Sequence, residues 1–171
     1  MAAPAGAAPI PLREPHRGRI AEAAAQLRPV WSGAAGLRAL RATLVIPALF
    51  ALTSEVLGNL QMATFAAFGG FATLVMVGFG GSHRDKLVAH LVMALAGSVL
   101  LVIGTAASST AALAAAVTLP VVFCVLFAGI IGPNVASAST ALLLIYVLPA
   151  ASPGTLEMIP ARLAGWWLAS V

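Results

Sequence analysis

The stretch LVAHLVMALAGSVLLVIGTA (residues 87–106) contains no Asp, Glu, Lys or Arg, and His90 is its one titratable side chain. A helix over it is about 30 Å long at ~1.5 Å per residue. That length matches the ~30 Å hydrocarbon core of a bilayer. Before it stands the polar, basic loop GGSHRDK (80–86). Before the loop stands a second apolar run, QMATFAAFGGFATLVMVGF (61–79). Two apolar runs joined by a short charged turn predict antiparallel transmembrane helices.

The same pattern extends in both directions. A first span runs from about 40 to 57, behind Arg38 and Arg41, with Pro47 near its start. Only Gly58-Asn59-Leu60 separates it from the second span at 61–79, so the two are antiparallel neighbours. After the third span (87–106), Ser108, Ser109 and Thr110 mark a turn into a fourth span at 112–131. Gly132-Pro133-Asn134 then breaks the chain. The fifth apolar stretch, centred on 135–148 and lengthened to 150, is bounded by Pro133 and Pro149. At about 21 Å for its central residues it is the short one. It reads as a span in preference to a re-entrant segment. A sixth segment (160–171) turns apolar at Leu163 and stops before it can cross. The expectation is an all-α, polytopic transmembrane helix bundle, with about five complete spans and a truncated sixth.

Composition agrees. Of 171 residues, 61% are hydrophobic and 8% are charged, against about 25% charged in a soluble domain. So few charged side chains cannot cover a water-facing surface, and the natural solvent for this chain is lipid. The net charge of +4 does not point to nucleic acid. Most of the basic residues (Arg13, Arg17, Arg19, Arg28, Arg38 and Arg41) precede the first apolar run, where they act as a topology signal. With the N-terminus in the cytoplasm, Arg84 and Lys86 also lie inside, and only Arg162 falls outside. Residues 1–38 read as a cytoplasmic tail, largely disordered, with four prolines in its first 16 positions (Pro4, Pro9, Pro11 and Pro15). Its segment RGRIAEAAAQLR (17–28) reads as a short solvated helix. Residues 39–171 form the transmembrane module.

Chemistry-bearing residues are sparse. Cys124 is the one cysteine, so no intrachain disulfide forms, and in VVFCVLF it reads as a small apolar side chain. No CxxC pair, HExxH helix, phosphate loop or GxSxG elbow is present, so neither a metal site, a cofactor nor a catalytic residue is expected. The remaining candidates are polar groups within or beside spans, because each is costly in lipid. Glu55, near the outer end of the first span, reads either as a transport-path acid or as an interfacial acid. Asn59 and Gln61 add polar groups beside it. His90 sits one turn into the third span, where an interfacial role competes with a titrating one. Asn134 follows the Gly-Pro break, which reads as a tight turn or as the unwound backbone that transporters use to bind substrate. Asp85 is expected to cap the third helix. Gly69, Gly70, Gly78, Ala94, Gly97, Ser98 and Gly104 are the small residues expected to let helices approach.

The stretch FAAFGGFATLVMVGFGGSHRDKLVAHL, with its Arg-flanked preceding helix, resembles the first membrane module of the FUSC proteins, the fusaric acid resistance and aromatic acid exporter group. The resemblance covers about Arg38 to Val171. It implies a bacterial inner-membrane efflux component for aromatic acids or related small organic compounds. It also implies a module of around six helices, followed by a soluble cytoplasmic domain that these residues do not include, and a second copy or second module to enclose a path. A non-transporting scaffold, or an incomplete gene product that needs a partner, is the alternative. The discriminating expectation is a polar interior path through Glu55 for transport, against an apolar interior with Glu55 facing headgroups for the scaffold.

Overall fold

The computed structural model describes residues 33–170. The expectations for residues 1–32, including the helix at 17–28, lie outside the described residues. Six α-helices follow one another: α1 (Gly33–Ala51), α2 (Leu60–Phe71), α3 (His83–Ala107), α4 (Ala111–Ala128), α5 (Pro133–Ala151) and α6 (Ile159–Ser170). Two of them continue in a π-helical turn, α1 over Leu52–Val56 and α2 over Ala72–Met76. Short 3₁₀ turns at Gly129–Ile131 and Leu156–Met158 flank α5.

Among the described residues, four helical segments are long and apolar enough to cross a membrane: Ala35–Val56, His83–Ala107, Ala111–Ile131 and Pro133–Ala151. The chain is an all-α bundle of a membrane-embedded protein. Two boundaries differ from the sequence expectation in an informative way. The fifth segment is not the short one. Pro133 is the first residue of α5, where its missing N–H costs nothing, and Pro149 is absorbed into the last turn. The short helix is instead Leu60–Met76, about 25 Å long, because Val77 turns extended and ends it before Gly78. At the other boundary of note, α1 begins at Gly33, inside the stretch assigned to the tail.

Local signals explain the helix ends. Asn59 takes an extended conformation and its Oδ1 accepts from the Met62 amide at 3.0 Å, capping α2. Gly58, at φ 62°, supplies the left-handed residue that reverses the chain between α1 and α2. Ser82 caps α3 and Asp85 reciprocates, its carboxylate accepting from the Ser82 amide at 3.0 Å. This capping box holds Asp85 in the role expected of it. Thr110 caps α4 through the Leu113 amide.

The core forms where α2, α3, α5 and α6 meet, around Phe65, Met93, Leu101, Ala141, Ile145 and Trp166. α6 runs parallel to α2, since Arg162 meets Gln61 at one end and Thr73 meets Ala169 at the other. Gly165 makes the closest approach: a Cβ there would strike the Met62 carbonyl and come within 2.9 Å of the Ala66 nitrogen. Trp166 lies over Gly97 of α3, where a Cβ would occupy the space its ring fills. Its Nε1 donates to the Ala94 carbonyl at 2.8 Å, which satisfies the indole inside the bundle. Gly104 likewise lets α3 meet the Tyr146 carbonyl and Pro149 of α5. Of the small residues expected at interfaces, Gly69, Gly70, Ala94, Gly97 and Gly104 are buried, Ser98 is half-buried, and Gly78 is exposed in the loop. α1 and α4 form the flanks. α4 has no buried residue, and α1 touches the bundle chiefly at Ala42 and opposite Gly70.

Candidate functional site

The feature that stands out is Arg162, in the first turn of α6. It is 0% exposed, the only Lys or Arg buried among the described residues. Its Nε donates to Gln61 Oε1 at 3.2 Å and its Nη1 to Thr105 Oγ1 at 3.1 Å. Its Nη2 reaches the Ser152 carbonyl at 3.3 Å and, weakly, Met158 Sδ at 3.9 Å. The guanidinium carbon lies 5.1 Å from the centre of the Phe65 ring. Gly154 passes directly against Nη2, where any side chain would collide with it.

Each neighbour is placed by local structure. Asn59 starts α2, which puts Gln61 in its first turn beside the start of α6. Thr105 stands in the last turn of α3, and its own hydroxyl donates to the Leu101 carbonyl at 2.9 Å. That leaves the Thr105 lone pairs free to accept from Arg162. Ser152 follows the end of α5. One guanidinium therefore ties together α2, α3, the α5–α6 connection and α6.

Every one of these partners is neutral. A guanidinium keeps its charge in proteins, and a desolvated charge without an opposite one is costly even when its N–H groups are satisfied. Charged residues inside a membrane protein mark substrate or ion pathways by default. The arrangement presents a fixed positive charge, held by dipoles, at the end of the bundle where α3 and α5 end. An anion is the species such a group stabilises, and a carboxylate is its natural geometric match.

The residues singled out from the sequence are not brought together. Glu55 is exposed on the π-helical turn after α1. Asn59, half-buried, is engaged as a helix cap at that same end. At the opposite end, half-buried His90 donates from Nδ1 to the Lys86 carbonyl at 2.9 Å and packs edge-on against Phe79 at 4.8 Å. Asn134 is exposed, and its Oδ1 accepts from the Gly80 amide at 3.3 Å, tying the α2–α3 loop to the start of α5. Gly132, two residues before it, is plain extended backbone between two helices. Among the described residues no cluster of His, Cys, Asp or Glu has metal-binding geometry.

Sequence reasoning counted Arg162 only as the basic residue on the far side of the membrane. A faint signal was present in PARLAGWW: Arg162, Gly165 and Trp166 fall at i, i+3 and i+4 and so share one helix face. No protein-family model, curated protein or solved structure matches the chain.

Proposed function

We propose that this chain is a multi-pass component of a bacterial inner membrane that exports small organic acids, aromatic acids among them. Its N-terminus is cytoplasmic. The observation that carries the reading is Arg162: a buried cation with only neutral partners, inside a bundle otherwise solvated by lipid. An organic acid crossing beside it brings the missing negative charge. The positive-inside distribution supports the orientation, since Arg38, Arg41, Arg84 and Lys86 belong to one end of the helices and Arg162 to the other. The resemblance of residues 38–171 to the FUSC membrane module supports the substrate class and a second copy or module as partner.

One observation favours the scaffold reading. Glu55 is exposed at a helix end, away from the interior of this bundle. Under that reading, Arg162 is an internal tie between helices and nothing more.

The test is an accumulation assay in cells at matched expression, with a panel of aromatic and aliphatic acids. Intact protein is compared with Arg162→Met, Arg162→Lys and Glu55→Gln. Transport predicts lower accumulation with intact protein, loss of that effect in Arg162→Met, and retention in Glu55→Gln. Equal accumulation of every acid with and without the intact protein would refute export and leave the scaffold.

A further inference from the structure

Arg162 is fully buried, yet on one side a single thickness of chain covers it. That cover is the segment 152–155, which leads from the end of α5 into the 3₁₀ turn Leu156–Met158. Pro153, Thr155, Leu156 and Glu157 are exposed, and Ser152 and Gly154 are half-buried. Arg162, directly against Gly154, is 0% exposed.

The guanidinium is gripped unequally. Gln61 and Thr105 hold Nε and Nη1 at 3.2 and 3.1 Å, and both belong to helices, α2 and α3. The α5–α6 connection supplies the contacts of Nη2, the Ser152 carbonyl at 3.3 Å and Met158 Sδ at 3.9 Å. Among the described residues, the one hydrogen bond that ties 152–155 to a helix is this bond to Arg162 itself. The bond from the Met158 amide to the Thr155 carbonyl stays within the connection. Segments held by so few bonds open at low cost. Opening here also brings a gain. In the closed form the charge has no anionic partner among the described residues and no contact with solvent, which is a costly state for an ion. Lifting 152–155 forfeits one hydrogen bond and a weak sulfur contact, and lets water reach Nη2. Gln61 and Thr105 keep their places, so the freed Nη2 keeps its direction. The Ser152 carbonyl then leaves a position suited to another acceptor oxygen. A carboxylate oxygen fits that position and adds the missing negative charge.

We infer that the segment 152–155 is a cover over the anion site, with the Ser152 carbonyl standing where a substrate carboxylate binds, and that it lifts to admit that carboxylate to Nη2. This rests on the reading of Arg162 as an anion site. The cover lies at the end of the helices opposite Arg84 and Lys86, so in an exporter it guards the exit.

The experiment is modification of arginines by phenylglyoxal in the full chain in detergent, followed peptide by peptide by mass spectrometry, with exposed Arg84 as the internal reference. Gly154→Ala places a Cβ against Nη2 and 3.0 Å from Cζ. Two helices pin the guanidinium, so the cover is what yields. The variant is expected to speed modification of Arg162 by about tenfold, the equivalent of one hydrogen bond to a charged group, with Arg84 unchanged. Met158→Ala removes the sulfur contact and adds no atom, and is expected to act in the same direction by less. Benzoate is expected to slow modification of Arg162 in the parent and in both variants, and the neutral benzamide to leave it unchanged. Circular dichroism and tryptophan emission report whether each variant is folded, and if Gly154→Ala is not, Met158→Ala decides. Modification of Arg162 at the parent rate in the folded variants would overturn the inference. So would a rate indifferent to benzoate, or one slowed equally by benzamide. The assay contains no transport step. Export with an Arg162 rate indifferent to both variants would refute the cover and keep the exporter. Loop-dependent protection by benzoate in a chain that exports nothing would keep the cover and refute the exporter.

Discussion

Gly165→Ala is the sharpest test of how α6 is seated. The added Cβ would meet the Met62 carbonyl, the Ala66 nitrogen at 2.9 Å and the Phe65 Cβ at 3.1 Å. The first two are backbone atoms of α2 and cannot swing aside. Restoring an ordinary contact of 3.4 Å to the Ala66 nitrogen requires a withdrawal of about 0.5 Å, the difference between 3.4 and 2.9 Å, and relieving the Met62 carbonyl requires more. A gap of ~0.5–1 Å forfeits a quarter to a half of each dispersion contact across it. The withdrawn helix also carries Trp166 and Arg162, so the 2.8 Å bond to Ala94 and the bonds to Gln61 and Thr105 lengthen together. Overpacking costs about 1–3 kcal/mol where side chains can adjust. With backbone as the obstacle, the expected loss is about 3 kcal/mol. The assay is unfolding in mixed micelles by SDS titration, followed by circular dichroism and tryptophan fluorescence. Gly36→Ala is the control, because nothing lies within 4 Å of a Cβ there. It should change stability by ~1 kcal/mol at most, toward more helix. If Gly165→Ala unfolds within ~0.5 kcal/mol of the parent, a surface-like effect, the close contact of α2 and α6 is wrong.

Other outcomes follow from single contacts. Gln61→Leu leaves the Arg162 Nε–H without its acceptor and should destabilise the bundle by about 1–3 kcal/mol in the same titration. Tyr146→Phe removes the 3.0 Å contact with Thr118 that joins α5 to α4; interhelical bonds of this kind average ~0.6 kcal/mol, so a loss well above 2 kcal/mol would mean that Tyr146 does more than this. Ser82→Ala breaks the capping box and should speed amide exchange in the first turn of α3 without moving the global transition. Cys124 is exposed on α4, within a segment long and apolar enough to cross a membrane, so a membrane-impermeant maleimide should leave it unlabelled in vesicles and label it after denaturation. Rapid labelling in intact vesicles would place α4 in water.

The spans were legible because lipid imposes one demand, apolar length, and that demand is written locally. Residues 87–106 and 112–131 needed nothing else to be read. The capping role of Asp85 was legible for the same reason: its partner, Ser82, lies within one turn. Which faces pack was not legible. In a soluble helix the buried side announces itself by apolar periodicity, but here the lipid-facing side is equally apolar. α4, with nothing buried, and α5, with Ile145, Tyr146 and Pro149 buried, read alike from composition. Burial of Arg162 depends on Gln61, which is 101 residues away along the chain. No local pattern reports a contact of that range. The pairs Gly97–Trp166 and Gly165–Met62 belong to the same class, since small residues promise close approach without naming what approaches.

The place of α6 has a consequence for how the molecule is made. The ribosome delivers this helix after the other five described helices, yet it fills the slot between α2 and α3. Until it emerges, Gly69, Gly97 and Thr105 border an empty groove, and Gln61 has no guanidinium to hold. The contacts that join α2, α3 and α6 therefore form together, when a single segment brings in the tryptophan and the arginine.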